Sequence, residues 1–359
     1  MSNSNTIFLV NKNDLFKTAF ADESKPRAGK NEVILKIYNY AFTANNITYA
    51  VVGEKLGYWQ FFPTEDPYGI VPVWGFADVV SSNHEYITMD DRYYGYFPMS
   101  TYLKVNPENV KPFGFVDGSK HRQSLPAVYN HYATVSKTID DTIDYHPIIK
   151  PLFLTSFLIY YYLKDEEFFD ADQIILTSAS SKTALSLAYL LKKNQVADQK
   201  QIIGLTSERN IDFVANVGFY DKVIAYNNFE EQLNKDESMV VDFAGNSDHL
   251  KKLHSYFGDL LKYICLVGLA DWSSGVDFKS IPNANFFFAP DHVEKRYREL
   301  GVKETTLLAN NALQEFIITI KNWMALSYIQ DREELCTMYL DILKGNIDPS
   351  KGYMVQLVK

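Results

Sequence analysis

The stretch "QIILTSASSKTALSLAYLLKK" spans residues 173–193 and decides how the chain is interpreted. Its apolar run at 173–176 is typical of a buried strand, and residues 182–193 have the spacing of an amphipathic helix. Between them lies a short turn of small hydroxyl residues with one lysine. This layout is typical of phosphate-binding turns, which present N–H groups at a helix N-terminus. Such turns are usually rich in glycine, yet residues 177–184 contain none.

Three interpretations of this turn are open. The first is the pyrophosphate turn of a dinucleotide-binding domain. The second is a P-loop, because "SKT" resembles the end of GxxxxGK[ST]. Leu176 and Ser181 stand where that motif needs glycine, and this disfavours the second interpretation. The third is an ordinary helix whose first turn is capped by a serine. The turn by itself supports the first and third interpretations equally.

The residue types of the turn suit a diphosphate. Ser178, Ser180 and Ser181 carry hydroxyls that can donate hydrogen bonds, and Lys182 adds a positive charge. Thr183, at the start of the helix, belongs to the same candidate set. In a dinucleotide-binding turn the last glycine permits close packing of helix on strand, and Ala184 is small enough for that role.

The next strand, "QIIGLTS", favours the first interpretation. An NAD-binding domain places Asp or Glu at the tip of this strand, where the carboxylate binds the ribose. Here the tip carries Thr206 and Ser207, with Arg209 close by. Hydroxyls and an arginine suit a 2′-phosphate, so NADP(H) is expected rather than NAD(H). The alternative is that Arg209 is a solvated helix residue paired with a nearby acid.

Strands and helices alternate through the second half of the chain. The apolar segments "KVIAY", "SMVVDFAG", "YICLVGLA" and "ANFFFA" continue the series and predict an α/β fold with a parallel sheet covered on both faces. Residues 31–105 instead have β-type patterns, with no helix expected before about residue 124. Pro147 and Pro151 are expected to frame a connection. Helices are predicted in "NALQEFIITIKNWMALSYI" and "REELCTMYLDILKG", and the strand "GYMVQLVK" is expected to join the β-rich domain.

The bulk composition limits the classes of function. The chain has 359 residues, enough for two domains, and its 47% hydrophobic and 22% charged residues are typical of a soluble globular protein. A net charge of −9 without a basic run argues against a nucleic-acid partner. Cys265, Cys336 and the scattered histidines form no metal-ligand pattern, so no metal is expected. Without a signal peptide or a membrane-length apolar stretch, we expect a cytoplasmic protein with no membrane partner.

The order of these motifs resembles the medium-chain dehydrogenase/reductase superfamily, in particular its zinc-independent, quinone-oxidoreductase-like branch. The turn lies where that branch carries G-A-S-x-G-x-G, and Ala179 and Ser180 match it. "KVIAY", "VVDFAGN" and "CLVGLA" are similar to family segments through Tyr226, Asp242 and Gly268. "AFTANNITYAVVG", "VPVWGFADVV" and "LKGNIDPSKGYMVQL" occupy the places of further family motifs. The variants "SASSKTA" and "NNITYA" look like a divergent subgroup of unknown function.

The resemblance implies a GroES-like β-rich domain at 1–145 and 320–359, and a Rossmann domain with a doubly wound parallel sheet at 146–319. It implies an NADPH-dependent, zinc-independent oxidoreductase that transfers hydride to a quinone, enone or related carbonyl compound. The alternative is a non-catalytic protein on the same scaffold, whose altered turn has lost cofactor binding. Relatives often form homodimers through an edge strand of the Rossmann sheet, for which "ANFFFAP" is the candidate.

The resemblance also implies site residues. Asn46, Thr48 and Tyr49 are expected nearest the nicotinamide ring, with Tyr49 as the proton donor or simply as a packing residue. Aromatic residues are expected either to line a pocket for a flat substrate or to fill the core: Tyr58, Trp59, Phe61, Phe62 and Trp74. The expected cofactor-binding residues are Ser178, Ser180, Ser181, Lys182, Thr183, Thr206, Ser207, Arg209, Tyr226, Asp242 and Gly268.

Overall fold

The alternation of apolar strands and helices after residue 170 folds, as the sequence predicts, into a parallel sheet. The computed structural model describes residues 4–136, 141–268 and 282–357. Its contacts divide the chain into two units, one of Met1–Ile148 with Ala325–Lys359 and the other of Ile149–Met324. We call these units 1 and 2.

The bounds of the elements are as follows. The strands are β1 Ser4–Asn11, β2 Asp14–Ser24, β3 Val33–Phe42, β4 Tyr68–Gly69, β5 Pro72–Ser82, β6 Arg92–Pro98, β7 Tyr102–Val105, β8 Pro107–Lys111, β9 Gly114–Asp117, β10 His131–Thr134, β11 Gln173–Leu176, β12 Gln201–Thr206, β13 Lys222–Ala225, β14 Ser238–Asp242, β15 Leu261–Leu266, β16 Ala284–Phe286, β17 Ala325–Ile329 and β18 Lys351–Val355. The α-helices are α1 Ala44–Val51, α2 His146–Asp165, α3 Lys182–Lys193, α4 Ile211–Val217, α5 Phe229–Gln232, α6 Ser247–Phe257, α7 Ala289–Leu300, α8 Val302–Ile320 and α9 Arg332–Leu343.

Unit 2 contains a six-stranded sheet with the order β13-β12-β11-β14-β15-β16. All five pairings are parallel, and this is the strand order of a doubly wound dinucleotide-binding sheet. The order reverses between β11 and β14, and in doubly wound sheets the carboxyl ends of the strands at this switch point are where ligands bind. The predicted Rossmann architecture is therefore confirmed, and β16 forms the edge of the sheet.

The predicted helix after the turn is also confirmed, and α3 begins at Lys182 and ends at Lys193. It begins there because Ser181 has extended backbone and its hydroxyl accepts a hydrogen bond from the Ala184 N–H at 3.2 Å. Leu187 and Leu191 lie on its buried face, as the apolar spacing predicts.

Unit 1 is built mostly of β-strands. Its larger sheet has the order β17-β18-β3-β5-β6-β10-β9-β8, with β7 also paired to β3, and its smaller sheet has the order β2-β1-β4. The prediction that the final strand joins this domain is confirmed, because β18 pairs antiparallel with β3 and parallel with β17. Phe8 and Phe42 pack edge-on against the ring of Tyr339 from α9, which ties the helix to the strands.

Three local expectations are wrong. Helix α1 lies within the region where no helix was expected, because Asn46 accepts from the N–H of Thr43 at 2.8 Å and caps the first turn. Pro147 and Pro151 lie inside α2 rather than framing a connection. The helix predicted through residue 329 ends at Ile320, and the β-favouring segment "ALSYI" pairs with β18 instead.

The core of unit 1 contains a buried ion pair. Arg122 donates to Asp117 at 2.9 Å and to the hydroxyl of Tyr132 at 2.8 Å, and the two charged side chains are 1% and 2% exposed. Within the described ranges, Nε and Nη2 of this arginine have no hydrogen-bond partner, and the guanidinium lies against the rings of Phe61 and Phe62. The carboxylate therefore carries most of the compensation for a buried charge.

Across these three ranges, no helix combines the length and the apolar character needed to cross a membrane.

We predict that Asp117→Asn strongly destabilises the protein. It leaves the Arg122 guanidinium buried without a counter-charge, which typically costs about 3–5 kcal/mol. The matched control is Asp78→Asn, which breaks the ion pair with Arg92, whose side chains are 20% and 24% exposed. We expect about 1 kcal/mol there, because water replaces the lost partner. The midpoint of urea unfolding measures both, and equal losses would contradict the prediction.

Candidate functional site

The candidate site in unit 2 lies where β11 and β14 end side by side. The strands pair in register from Gln173 opposite Ser238 to Leu176 opposite Val241, so the next residues of each strand are neighbours. Thr177 donates its hydroxyl to Oδ1 of Asp242 at 2.5 Å. The same hydroxyl oxygen accepts from the backbone N–H of Phe243 at 2.9 Å. One threonine thus connects the two loops that border the crevice.

Asp242 organises the loop that follows β14. Its Oδ2 accepts from the N–H of Gly245 at 3.0 Å, and its Oδ1 accepts from the N–H of Ala244 at 3.2 Å. Burial raises the pKa of this carboxyl to about 6, although the hydrogen bonds from Thr177, Gly245 and Ala244 act in the opposite direction. Near neutral pH the side chain is mainly an anion that accepts from both sides of the crevice.

Gly268 is needed by the same loop. It lies two residues after the end of β15, and its N–H donates to the carbonyl of Asp242 at 2.8 Å. A Cβ added at this glycine would lie 2.5 Å from the carbonyl oxygen of Phe243 and 2.8 Å from the N atom of Gly245. Any larger residue would therefore force the loops after β14 and β15 apart. The structure gives this glycine a clear packing role, and its contact with a cofactor stays a prediction.

The turn itself uses most of its polar groups to fix its own shape. Ser178 has a positive φ of 49°, and its N–H donates to the hydroxyl of Tyr226 at 2.6 Å. The Ser181 N–H donates to the carbonyl of Ser178 at 2.7 Å, and the Ser181 hydroxyl caps α3. The Ser178 N–H and the Ser181 hydroxyl oxygen are therefore both engaged within the protein.

Ser180 has the hydroxyl best suited to a phosphate. Its Oγ accepts from Nδ2 of Asn210 at 3.0 Å and lies 3.5 Å from the hydroxyl of Thr206, which donates to it. Both contacts use the oxygen as an acceptor, so the hydroxyl proton is available to donate. Lys182 and Thr183 follow as the first two residues of α3, half-buried, with no acidic residue in that first turn. The first turn of α3 therefore contributes no negative charge that would oppose an anion at the helix N-terminus.

Close packing of the turn and α3 on the strands, which the last glycine of a dinucleotide-binding turn normally permits, depends here on two alanines and on Gly204. Ala179 and Ala184 are fully buried under the turn. A Cβ added at Gly204 of β12 would lie 2.9 Å from the Cβ of Ala179, which shows how close the turn comes to the neighbouring strand. The turn is also held from the side, because the hydroxyl of Tyr220 donates to the Ala179 carbonyl at 3.0 Å.

The structure brings the predicted strand-tip residues to the same end of the sheet. Thr206 ends β12 and is 1% exposed, so it contributes through Ser180 rather than through a free hydroxyl. Ser207 is half-buried, and Arg209 is exposed in the turn that follows. Tyr226 follows β13, and its N–H donates to the carbonyl of Thr206 at 3.0 Å. These residues form one polar border beside the turn.

Asn46 and Tyr49, two of the residues of unit 1 predicted to lie nearest the nicotinamide, are largely buried. Asn46 is 4% exposed; its amide donates to the carbonyl of Pro72 at 2.9 Å and caps α1, which gives it a structural role. Tyr49 is 6% exposed, and its ring packs 4.5 Å from that of Tyr58. Burial, with a contribution from Tyr58, raises the pKa of Tyr49 above its ordinary value. Thr48 is half-buried on α1.

The five aromatic residues expected to line a pocket or fill the core differ in burial. Trp59, Phe61 and Phe62 are buried, whereas Tyr58 and Trp74 are half-buried. Tyr58 shares a hydrogen bond of 3.2 Å with Tyr129, hydroxyl to hydroxyl. For the three buried rings the core interpretation is therefore correct.

Sequence reasoning missed three contributors. No sequence pattern marks Thr177 as functional, yet its hydroxyl makes the hydrogen bond to Asp242. Asn210 is likewise unmarked, yet its amide donates to the Ser180 hydroxyl. His249 stacks on Tyr226 with ring centroids 4.0 Å apart, although no motif marks it. Of the three, only Thr177 has a signal in the sequence, because it directly follows the apolar run at 173–176 that leads into the turn. In the described ranges, no cluster of three or more His, Cys, Asp or Glu side chains could hold a metal ion.

Comparison with solved structures identifies the class of fold. CurA in complex with NADPH from Vibrio vulnificus has 14% identity and a TM-score of 0.64, with 99% of each chain covered. TarJ in complex with NADPH from S. aureus has 10% identity and a TM-score of 0.59, covering 99% of this chain and 100% of that one. The quinone oxidoreductase from Coxiella burnetii has 13% identity and a TM-score of 0.56, with the same coverage.

These similarities confirm the fold of the medium-chain dehydrogenase/reductase superfamily, with a GroES-like domain and a Rossmann domain. At such identities they show the fold alone. The chain belongs to the family described as "Protein of unknown function (DUF2855)", whose model matches residues 40–348. A search of curated proteins finds no match.

We predict a pH-dependent effect of Asp242→Asn. The folded pKa of about 6 lies above the ordinary value of 3.8, so the contribution of Asp242 to stability is fully present below pH 3.8 and is lost as the pH rises through 6. The asparagine has no such dependence. The stability of the variant minus that of the wild type should therefore rise between about pH 4 and pH 6, by on the order of 3 kcal/mol, and then level off. Urea unfolding across this pH range measures the difference, and a flat or falling difference would show that Asp242 does not titrate this way.

Proposed function

We propose that this protein is an NADPH-dependent, zinc-independent oxidoreductase. The observation that carries the proposal is the switch point itself, where the Ser180 hydroxyl and the N-terminus of α3 lie beside the end of β11 and no acid stands at the tip of β12. A Rossmann sheet binds dinucleotides at this position. CurA and TarJ, which share the fold, were crystallised with NADPH.

The residues of the crevice fit a dinucleotide. Ser180 can donate to the diphosphate, and the N–H groups at the start of α3 favour an anion. Lys182 adds charge at the same point. Arg209, beyond the end of β12, is the proposed partner of the 2′-phosphate, and Tyr226 and Ser207 border it. NADPH, when bound, supplies the hydride.

A quinone, enone or related carbonyl compound is the proposed substrate class, since the Coxiella burnetii structure of this fold is a quinone oxidoreductase. Such substrates need little from the protein beyond orientation and a proton. Tyr49 is the proposed proton donor. Its raised pKa keeps the phenol protonated at neutral pH, so it can protonate only a strongly basic enolate or alkoxide. Thr48 is the proposed neighbour of the substrate on the same helix, and β16 is the proposed edge of a homodimer.

Nucleotide binding tests the proposal directly. NADPH at about 100 times its Kd should stabilise the protein by about 2.7 kcal/mol, which raises the melting temperature by roughly 5–10 °C. NADH at the same concentration should have a clearly smaller effect. Arg209→Ala should reduce the NADPH shift to that of NADH, because the 2′-phosphate loses its partner. Glu208→Ala, in the same exposed turn, is the control and should keep the preference.

Two outcomes would overturn parts of this proposal. If neither nucleotide shifts the melting temperature, the chain is not a dinucleotide-dependent enzyme. If both nucleotides shift it equally, the preference for the 2′-phosphate is wrong, although dinucleotide binding stands.

Turnover with a panel of benzoquinones and enones tests the proton donor. Tyr49→Phe should lower kcat by about 100-fold or more while the Kd for NADPH stays unchanged, since general acid catalysis contributes about that much. Tyr58→Phe removes a neighbouring hydroxyl that is bonded to Tyr129 and should change kcat much less. Equal activity of Tyr49→Phe and wild type would remove Tyr49 from the mechanism.

A further inference from the structure

Ser178 has a backbone conformation that normally requires glycine. Its φ of 49° lies in the left-handed region, where the Cβ of an L-residue crowds the following carbonyl at a cost of roughly 1–2 kcal/mol. It sits directly after Thr177, whose hydroxyl is held by Asp242, so the chain must turn sharply here. In a glycine-rich turn a glycine takes this conformation without strain. Something in this protein must therefore stabilise Ser178 in the left-handed region.

Tyr226 is placed to do so. Its hydroxyl oxygen accepts from the N–H of Ser178 at 2.6 Å, across 48 residues of sequence. Burial raises the pKa of Tyr226 to about 12, so the acceptor is a neutral phenol at physiological pH. The backbone of Tyr226 is fixed as well, because its N–H donates to the carbonyl of Thr206 at the end of the neighbouring strand, at 3.0 Å.

His249 forms the other side of the tyrosine ring. The two rings stack with an angle of 14° and centroids 4.0 Å apart. Nδ1 of His249 is buried and has no hydrogen-bond partner among the described residues, so no bond at that nitrogen orients the imidazole. Burial and the nearby Lys252 lower the pKa of His249, which makes it a neutral ring at pH 7. The stack thus serves as a flat support behind Tyr226.

We propose that Tyr226, supported by His249, is a positioning device that replaces glycine in this turn. The hydrogen bond to Ser178 holds the left-handed conformation, and the turn then presents Ser180 and the start of α3 to the ligand. That the ligand is a dinucleotide rests on the function proposed above, whereas the device itself can be tested without a ligand.

The device predicts a specific coupling between residues 178 and 226. Tyr226→Phe should lower the melting temperature of the ligand-free protein by about 2–4 °C. Combined with Ser178→Gly, the same change should lower it by less than about 1 °C, because glycine takes the left-handed conformation without support. His249→Ala should act like Tyr226→Phe, and His249→Phe should keep the stack and most of the stability.

Tyr220→Phe is the matched control. It also removes a buried tyrosine hydroxyl that bonds to this turn, but its partner is the Ala179 carbonyl. Its loss of stability should be the same with and without Ser178→Gly. If the Tyr226→Phe loss is also the same in both backgrounds, Tyr226 is an ordinary packing residue and the proposal fails.

NADPH binding provides the second measurement. Tyr226→Phe should weaken NADPH binding about tenfold, and adding Ser178→Gly should restore most of it. Tighter binding by Tyr226→Phe would mean that the hydroxyl competes with the phosphate for the Ser178 N–H, which would overturn the proposal. If wild-type protein does not bind NADPH while the thermal coupling is present, the proposed function fails and the device stands.

Discussion

The hydrogen bond between Thr177 and Asp242 joins the two strands at the point where the sheet reverses its order. Because β11 and β14 pair in parallel and in register, these residues must meet at the carboxyl edge of the sheet. The backbone continues the pairing, since the Thr177 N–H donates to the carbonyl of Val241 at 3.1 Å. The carboxylate then fixes the loop at 243–245, and the threonine fixes where the turn starts. The start of the turn and the loop after β14 are therefore both fixed at this junction.

A glycine-rich turn performs several tasks with one residue type, whereas this chain assigns them to different residues. Close packing comes from Ala179, Ala184 and Gly204. The left-handed conformation at Ser178 is accompanied by a hydrogen bond from outside the turn. The hydroxyl suited to a phosphate is that of Ser180, oriented by Asn210. A turn of this kind has less freedom than one built from glycine, because its shape depends on the side chains of Asn210, Tyr220 and Tyr226 from other segments.

The parts of the fold that could be predicted from the sequence are those that local pattern determines. The parallel sheet follows from short apolar strands between helices, and α3 follows from its apolar spacing and the capping Ser181. Helix α1 escaped prediction because "ANNITYAV" contains residues typical of strands, and only the Thr43–Asn46 cap indicates a helix. The sequence predicts helix for residues 325–329, but this segment forms β17 because it pairs with β18, a contact that local pattern does not reveal.

The location of the candidate site could be predicted from the sequence, but the hydrogen bonds and ring contacts within it could not. The turn and the tip of β12 were predicted from local strand and helix patterns, and Asp242 from the resemblance of "VVDFAGN" to a family segment. The engagement of Ser178 by Tyr226 depends on a contact between distant segments, which single-sequence patterns do not encode. The same applies to His249, whose importance comes from a ring stack and not from its neighbours in sequence.

The place of β18 in the larger sheet of unit 1 has a consequence for biosynthesis. β18 lies between β17 and β3 in this sheet. β3 and β18 are therefore neighbours in the sheet, although more than 300 residues of sequence separate them. Residues 351–355 must be synthesised before β18 can take its place in this sheet, whereas unit 2 is one continuous segment of the chain. Nascent chains are therefore expected to complete unit 2 first, and to keep the edge of β3 in unit 1 unpaired until residues 351–355 have been synthesised.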